Sequence, residues 1–233
     1  SRQYSEALLA NPTTLSAEMK SEPSGFIICG TDTDVGKTIV SAWLVQGLNA
    51  IYWKPIQSGL TNGGDTYQVQ KLLNLPETRF IKEAYRFKAA VSPHWAAEQE
   101  DQLIKSENLL LPSISEPLII ETAGGLLVPL TRQLLQIDQL IHWQLPVILV
   151  ARTSLGTLNH TLLSIEALRN RNIPLLGLIL NGSDHEDNPK TLEQIGNIAI
   201  LGHLPPLRSL NAEMLKKEWY KQSLDITFKR LLR

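Results

Sequence analysis

The sequence predicts an α/β fold: a single-domain, doubly wound, mostly parallel sheet flanked by helices. Three observations carry that prediction. Six short runs are almost continuously apolar, the pattern of strands covered on both faces. Segments with helical spacing lie between most of them, the alternation that builds strand–helix–strand units. Each run is followed by polar or glycine-rich residues, which would collect along one edge of the sheet, where open α/β sheets hold their ligands. The 233 residues, 43% hydrophobic and 19% charged, are enough for one well-buried core of this kind.

In chain order, residues 1–24 read as an extension with a short helix at 4–10, since charges and polar residues break up every apolar piece. They lack the basic-then-apolar order of a signal peptide. The domain proper is expected over 25–233 and opens with the strand "GFIICG" (25–30), then a glycine-rich loop and a helix at 37–48. "AIYWK" (50–54) is the second strand, and a helix over 64–74 opens after Gly63-Gly64. Residues 80–112 are expected to be helical as well, beside the sheet. "PLIIE" (117–121) is the third strand, with a helix at 134–143. "LPVILVA" (145–151) is the fourth, followed by a helix over 158–171 capped by Thr157. "LLGLIL" (175–180) and "IAILGHL" (198–204) complete the sheet, with a helix at 189–197 opening on Asn188-Pro189.

A net charge of -1 provides no broad basic field, which argues against nucleic acid and acidic membrane surfaces as partners. No apolar stretch approaches the ~20 residues of a membrane helix. The one cysteine, Cys29, lies in an apolar run, so no disulfide framework is expected and a reducing, cytoplasmic location is. The acidic cluster "SDHEDN" (183–188) reads as a solvated loop, and His94 and His160 as structural histidines.

The most specific motif is "CGTDTDVGKTIV" (29–40), a strand, a loop and a helix start around Gly36-Lys37-Thr38. That context is the one a phosphate-binding loop requires, which makes the fold one of P-loop NTPase type. Backbone N–H groups of the loop and first turn would face the anion, Lys37 would reach the β- and γ-phosphates, and the Thr38 hydroxyl would bind Mg²⁺. Five residues separate Gly30 from Gly36, where the common form has four, so the loop is a variant. Asp32 and Asp34 would be repelled by a triphosphate unless they brace the loop or contact amine and ribose groups. Glu121 closes a buried strand, where an unpaired carboxylate is costly and a metal ion would compensate it, while Asp65 stands at an expected helix start, where it reads as an N-cap.

Taken in order, "GTDTDVGKT", "KPIQSG", "GGDT", "SPHWAA", "ETAGGLLVPL", "LGTLNH" and "LILNG" resemble the motif set of dethiobiotin synthetase, from about residue 25 to 206. That family belongs to a deviant P-loop branch that also holds ParA-like ATPases. The resemblance implies an ATP- and Mg²⁺-dependent enzyme that joins CO₂ (from bicarbonate) to 7,8-diaminononanoate, commonly as a homodimer. It implies that Lys54, with Thr33, holds the substrate carbamate as catalytic residues beside Lys37, and that Ser58 contacts the same substrate. The resemblance places the nucleotide against Asp34, Val35, Gly36, Lys37, Thr38 and Ile39, with Asp65 and the "ETAG" residues Glu121, Thr122, Ala123 and Gly124. It also brings Asp65 to the metal, which gives Thr38, Asp65 and Glu121 as an oxygen set suited to Mg²⁺. Asn181 and Gly182 would meet the base, with Leu204, Pro205 and Pro206 closing over it. Gly156, Thr157 and Asn159 would hold the substrate carboxylate at a helix N-terminus across the dimer interface. The chain departs from the family at Thr122, where glycine is usual. A ParA-like switch ATPase is the alternative, but its signature lysine early in the loop is missing from Thr31-Asp32-Thr33-Asp34.

Overall fold

The computed structural model describes residues 25–232. Its strands are β1 (Gly25–Gly30), β2 (Ile51–Trp53), β3 (Ile56–Ser58), β4 (Phe80–Ile81), β5 (Tyr85–Phe87), β6 (Leu118–Gly125), β7 (Val147–Arg152), β8 (Leu175–Asn181) and β9 (Ile200–Leu204). Among the described residues seven of them form one all-parallel sheet in the order β4-β2-β6-β1-β7-β8-β9, while β3 and β5 pair in a small separate sheet. The helices are α1 (Lys37–Leu48), α2 (Asp65–Leu73), α3 (Pro93–Gln99), α4 (Gln136–Trp143), α5 (Thr157–Arg169), α6 (Asn188–Gly196), α7 (Ala212–Lys221) and α8 (Leu224–Leu231).

Both sheet faces are covered, as the near-continuous apolar runs require. Phe26, Ile28, Tyr52 and Ile119 pack on one side with α1, α2 and the C-terminal helices; Ile27, Trp53, Ile120 and Leu149 pack on the other with α3 to α6. The chain leaves β1 toward β2 on one side and leaves β6 toward β7 on the other. This reversal opens a crevice beyond the carboxyl end of β1, where the phosphate loop lies.

The structure corrects three expectations. Residues 80–112 are not a helical segment: they hold β4, β5, the seven-residue α3 and irregular chain. The aromatic positions explain it, because Tyr85 and Phe87 alternate with exposed Arg86 and pair beside β3, while Phe80 extends the sheet beyond β2. The Tyr85 hydroxyl then accepts from Lys105 N and Asn108 Nδ2, which holds a single 3₁₀ turn, Ser106–Asn108, and not an α-helix. Second, β6 runs on past Glu121 to Gly125, so "TAGG" (122–125) is strand and not the loop after it. Third, Gly156 (φ 97°) is the N-cap of α5, and Thr157 is its first residue, its hydroxyl paired with that of Thr161 at 3.1 Å. The expected 4–10 helix lies outside the described residues.

The C-terminal helices close the α1 face. Trp219 meets Trp43 edge-on with ring centroids 6.0 Å apart and stacks on Phe228 at 5.4 Å, and Phe228 in turn meets Phe26. A Cβ on Gly47 would lie 2.3 Å from the Trp219 indole, so the ring packs directly on the α1 backbone. Trp219→Ala is expected to cost about 3–5 kcal/mol of stability in a urea unfolding titration. The nucleotide affinity of the folded fraction should stay unchanged, because the cavity opens on the far side of α1 from the loop.

Candidate active site

The loop between β1 and α1 is shaped by two left-handed residues, Asp34 (φ 59°) and Gly36 (φ 101°), which turn the chain into the helix. The Asp32 carboxylate accepts from Thr33 N at 2.7 Å, so it braces the loop as expected. Thr33 and Asp34 are exposed at the loop tip, while Val35 is buried beneath it. Lys37 is 7% exposed and donates from Nζ to the Asp32 carbonyl at 3.0 Å, folding the ammonium back over the loop's concave side. Burial lowers its pKa, and the nearby Lys54 ammonium lowers it further.

Beside the loop the adjacent strands β2 and β6 bring a second cluster together. Their parallel register sets Tyr52 against Ile119 and Trp53 against Ile120, so Lys54 and Glu121 follow at the same level just beyond. The Lys54 ammonium donates to Asp65 Oδ2 at 2.5 Å, to Glu121 Oε1 at 3.2 Å and to the Thr122 carbonyl at 3.4 Å. Lys54 and Glu121 are buried, at 5% and 1% exposure, and Asp65 faces the crevice. Burial alone would lower the Lys54 pKa, but the two carboxylates outweigh it and hold it above the ordinary lysine value. Thr38 Oγ1 donates to Glu121 Oε1 at 2.7 Å, which ties the first turn of α1 to β6.

Asp65 reaches the cluster from α2 through a residue that the sequence reading passed over. Gln57, buried on β3, accepts from Asp65 N at 2.9 Å through Oε1 and donates to the Gly59 carbonyl at 3.0 Å through Nε2. Its amide clamps the start of α2 to the turn after Lys54. The neighbouring Ser58 hydroxyl is buried without a hydrogen-bond partner. Thr122, the departure from the family glycine, is absorbed structurally: its hydroxyl donates to the Ile28 carbonyl at 3.1 Å on β1. Cys29, just before the loop, is fully buried, and burial pushes its thiol up to about 12, which removes it from any thiolate chemistry.

The residues expected around the base gather at the ends of β8 and β9. Asn181 donates from Nδ2 to the Val35 carbonyl at 3.1 Å, so part of its amide holds the phosphate loop. Gly182 lies next to it, its carbonyl accepting from His203 Nε2 at 2.6 Å, and its N–H bonds the Leu204 carbonyl. Leu204 is buried and Pro206 exposed on the following chain. Gly156, Thr157 and Asn159 stand apart at the start of α5, beside Leu155, which is 95% exposed.

This combination has close relatives. A family model described as an AAA domain matches residues 24–214. The ATP-dependent dethiobiotin synthetase BioD of Rhodopseudomonas palustris HaA2 is 48% identical over 190 residues, 82% of this chain and 89% of the relative. The protein of the same name from Brucella anthropi is 46% identical over 201 residues, 86% of this chain and 94% of the relative. The chain belongs to the dethiobiotin synthetase family. Among solved structures, the ParA family ATPase of Chlorobium tepidum covers 84% of the chain at a TM-score of 0.52 and 11% identity. The septum site-determining protein MinD of Pyrococcus horikoshii, complexed with Mg-ADP, covers 89% at 0.53 and 13%. Those two likenesses show the shared P-loop fold alone.

The donor set suits the magnesium that such a family implies. Thr38, Asp65 and Glu121 present a hydroxyl and two carboxylates around one point, and the Lys54 ammonium between the acids is the cation that now balances them. Among the described residues no helix is long and apolar enough to cross a membrane.

Proposed function

We propose that this chain closes the ureido ring of dethiobiotin from 7,8-diaminononanoate, CO₂ and ATP, as a cytoplasmic homodimer whose sites lie in the crevice beyond β1. The observation that supports this most directly is the Lys54 ammonium, buried between Asp65 and Glu121 and adjoining the Lys37 loop. A plain phosphate loop has no need of that second lysine.

The triphosphate lies along Asp34 to Ile39, with Lys37 released from the Asp32 carbonyl onto its oxygens. Thr38, Asp65 and Glu121 would hold Mg²⁺, which when bound would offset phosphate charge. One substrate amine takes up CO₂ as a carbamate, whose oxygen is held by Lys54 and Thr33, with Ser58 on the amine side. Lys54 is oriented for this by the two carboxylates that keep it charged. The carbamate oxygen attacks the γ-phosphorus and ADP leaves. The second amine then attacks the carbamoyl carbon, forming the ring C–N bond and expelling phosphate. The work of the chain is positioning and charge neutralisation, the mode phosphoryl transfer favours. Thr122 to Gly124 pass beneath the phosphates. Asn181 and Gly182 meet the base, with Leu204 to Pro206 closing over it. The substrate carboxylate lies on Gly156, Thr157 and Asn159 of a second copy, at the N-terminus of α5.

The test is phosphate release from Mg-ATP with diaminononanoate and bicarbonate. Release that requires both supports the proposal. Release indifferent to the diamine would return the chain to a ParA-like switch.

A further inference from the structure

Tyr52 is fully buried on β2, with its ring packed against Phe80 at 5.9 Å. Both faces of this sheet are apolar, and a phenylalanine would fill the same space. A buried hydroxyl is costly unless it is bonded. Here it is bonded to one group: Tyr52 donates to Glu121 Oε2 at 2.6 Å. The other oxygen, Oε1, takes Thr38 and Lys54. The carboxylate is therefore divided, with one oxygen pinned from within the core and one turned to Thr38 at the start of α1 and to Lys54. Side chains two apart on a strand share a face, which is why Tyr52 and Lys54 approach Glu121 from the same side.

We propose that Tyr52 is a positioning residue of this active site, its hydroxyl fixing the Glu121 carboxylate so that Oε1 faces Thr38 and the metal–nucleotide. The inference rests on the metal-binding role proposed for Glu121. Partners behind a metal-binding carboxylate orient it and tune its affinity, and losing one costs about tenfold or more in metal affinity or activity.

Tyr52→Phe removes only the hydroxyl. ADP binding, followed by the fluorescence of a labelled nucleotide, should be within twofold of wild type without Mg²⁺. The Mg²⁺ concentration needed to tighten ADP binding should rise about tenfold. In turnover, kcat should fall by a similar factor, with KM for the diamine unchanged. Phe80→Leu is the control, since it loosens the packing of the Tyr52 ring and leaves the hydroxyl in place. It should lower the thermal midpoint without moving the Mg²⁺ titration. A Tyr52→Phe titration within twofold of wild type, or an equal shift from Phe80→Leu, would overturn the proposal. Both readings use nucleotide and metal alone, so they stand even if wild-type protein fails to turn over diaminononanoate.

Discussion

Lys54→Ala is expected to reduce ring closure by about three orders of magnitude, the scale of losing a charged group that stabilises the transition state. The structure adds a consequence that a purely catalytic role would not have. Lys54 is the cation between Glu121, almost wholly buried, and Asp65. Removing it leaves two carboxylates facing one another, and a buried charge stripped of its partner costs about 3–5 kcal/mol. The variant should thus be markedly less stable in urea without metal and should recover part of that loss when Mg²⁺ and ADP are added. The sign of the pH dependence follows from the raised Lys54 pKa. Its contribution is fully present below the unfolded lysine value and is lost as pH rises through the higher folded value. The stability gap between wild type and Lys54→Ala should accordingly hold across neutral pH and narrow in strongly alkaline solution. An alanine variant with wild-type turnover, or one as stable as wild type, would remove Lys54 from the site.

Gly36→Ala should weaken nucleotide binding about a hundredfold, or roughly 2.7 kcal/mol. Gly36 adopts φ 101°, which an L side chain resists at about 1–2 kcal/mol. A Cβ there would also lie 2.2 Å from Asn181 Nδ2 and 2.8 Å from its Cγ. Asn181 must then leave the Val35 carbonyl, a hydrogen bond worth about 1 kcal/mol. Phosphate loop and base end share this one contact, so both should suffer together. Titration with labelled ADP checks the prediction; unchanged affinity would mean that the loop does not cradle the phosphates.

Much of the fold could be read directly. The buried strands announced themselves because parallel strands bury both faces, and Gly36-Lys37-Thr38 was legible because strand, loop and helix adjoin in sequence. The same double burial hid Tyr52. Where every strand residue is apolar, alternation cannot mark the one whose hydroxyl reaches across to the next strand. The segment 80–112 misled for a related reason: β4 and β5 are only two and three residues long, and their strand character comes from pairing with β2 and β3. Gln57 drew no attention within "KPIQSG", yet it ties Asp65 into the site through a contact eight positions away.

Residue type and local spacing were thus enough to mark Lys37, Thr38 and the loop, and the family's ordered motifs added Lys54 and Asp65. Their meeting was decided elsewhere, by the register of β2 on β6 and of β6 on β1, which brings residues 67 and 83 positions apart within hydrogen-bond reach. Local propensity carries no information about which long-range strand neighbours win. That choice follows from burying the whole sheet at once.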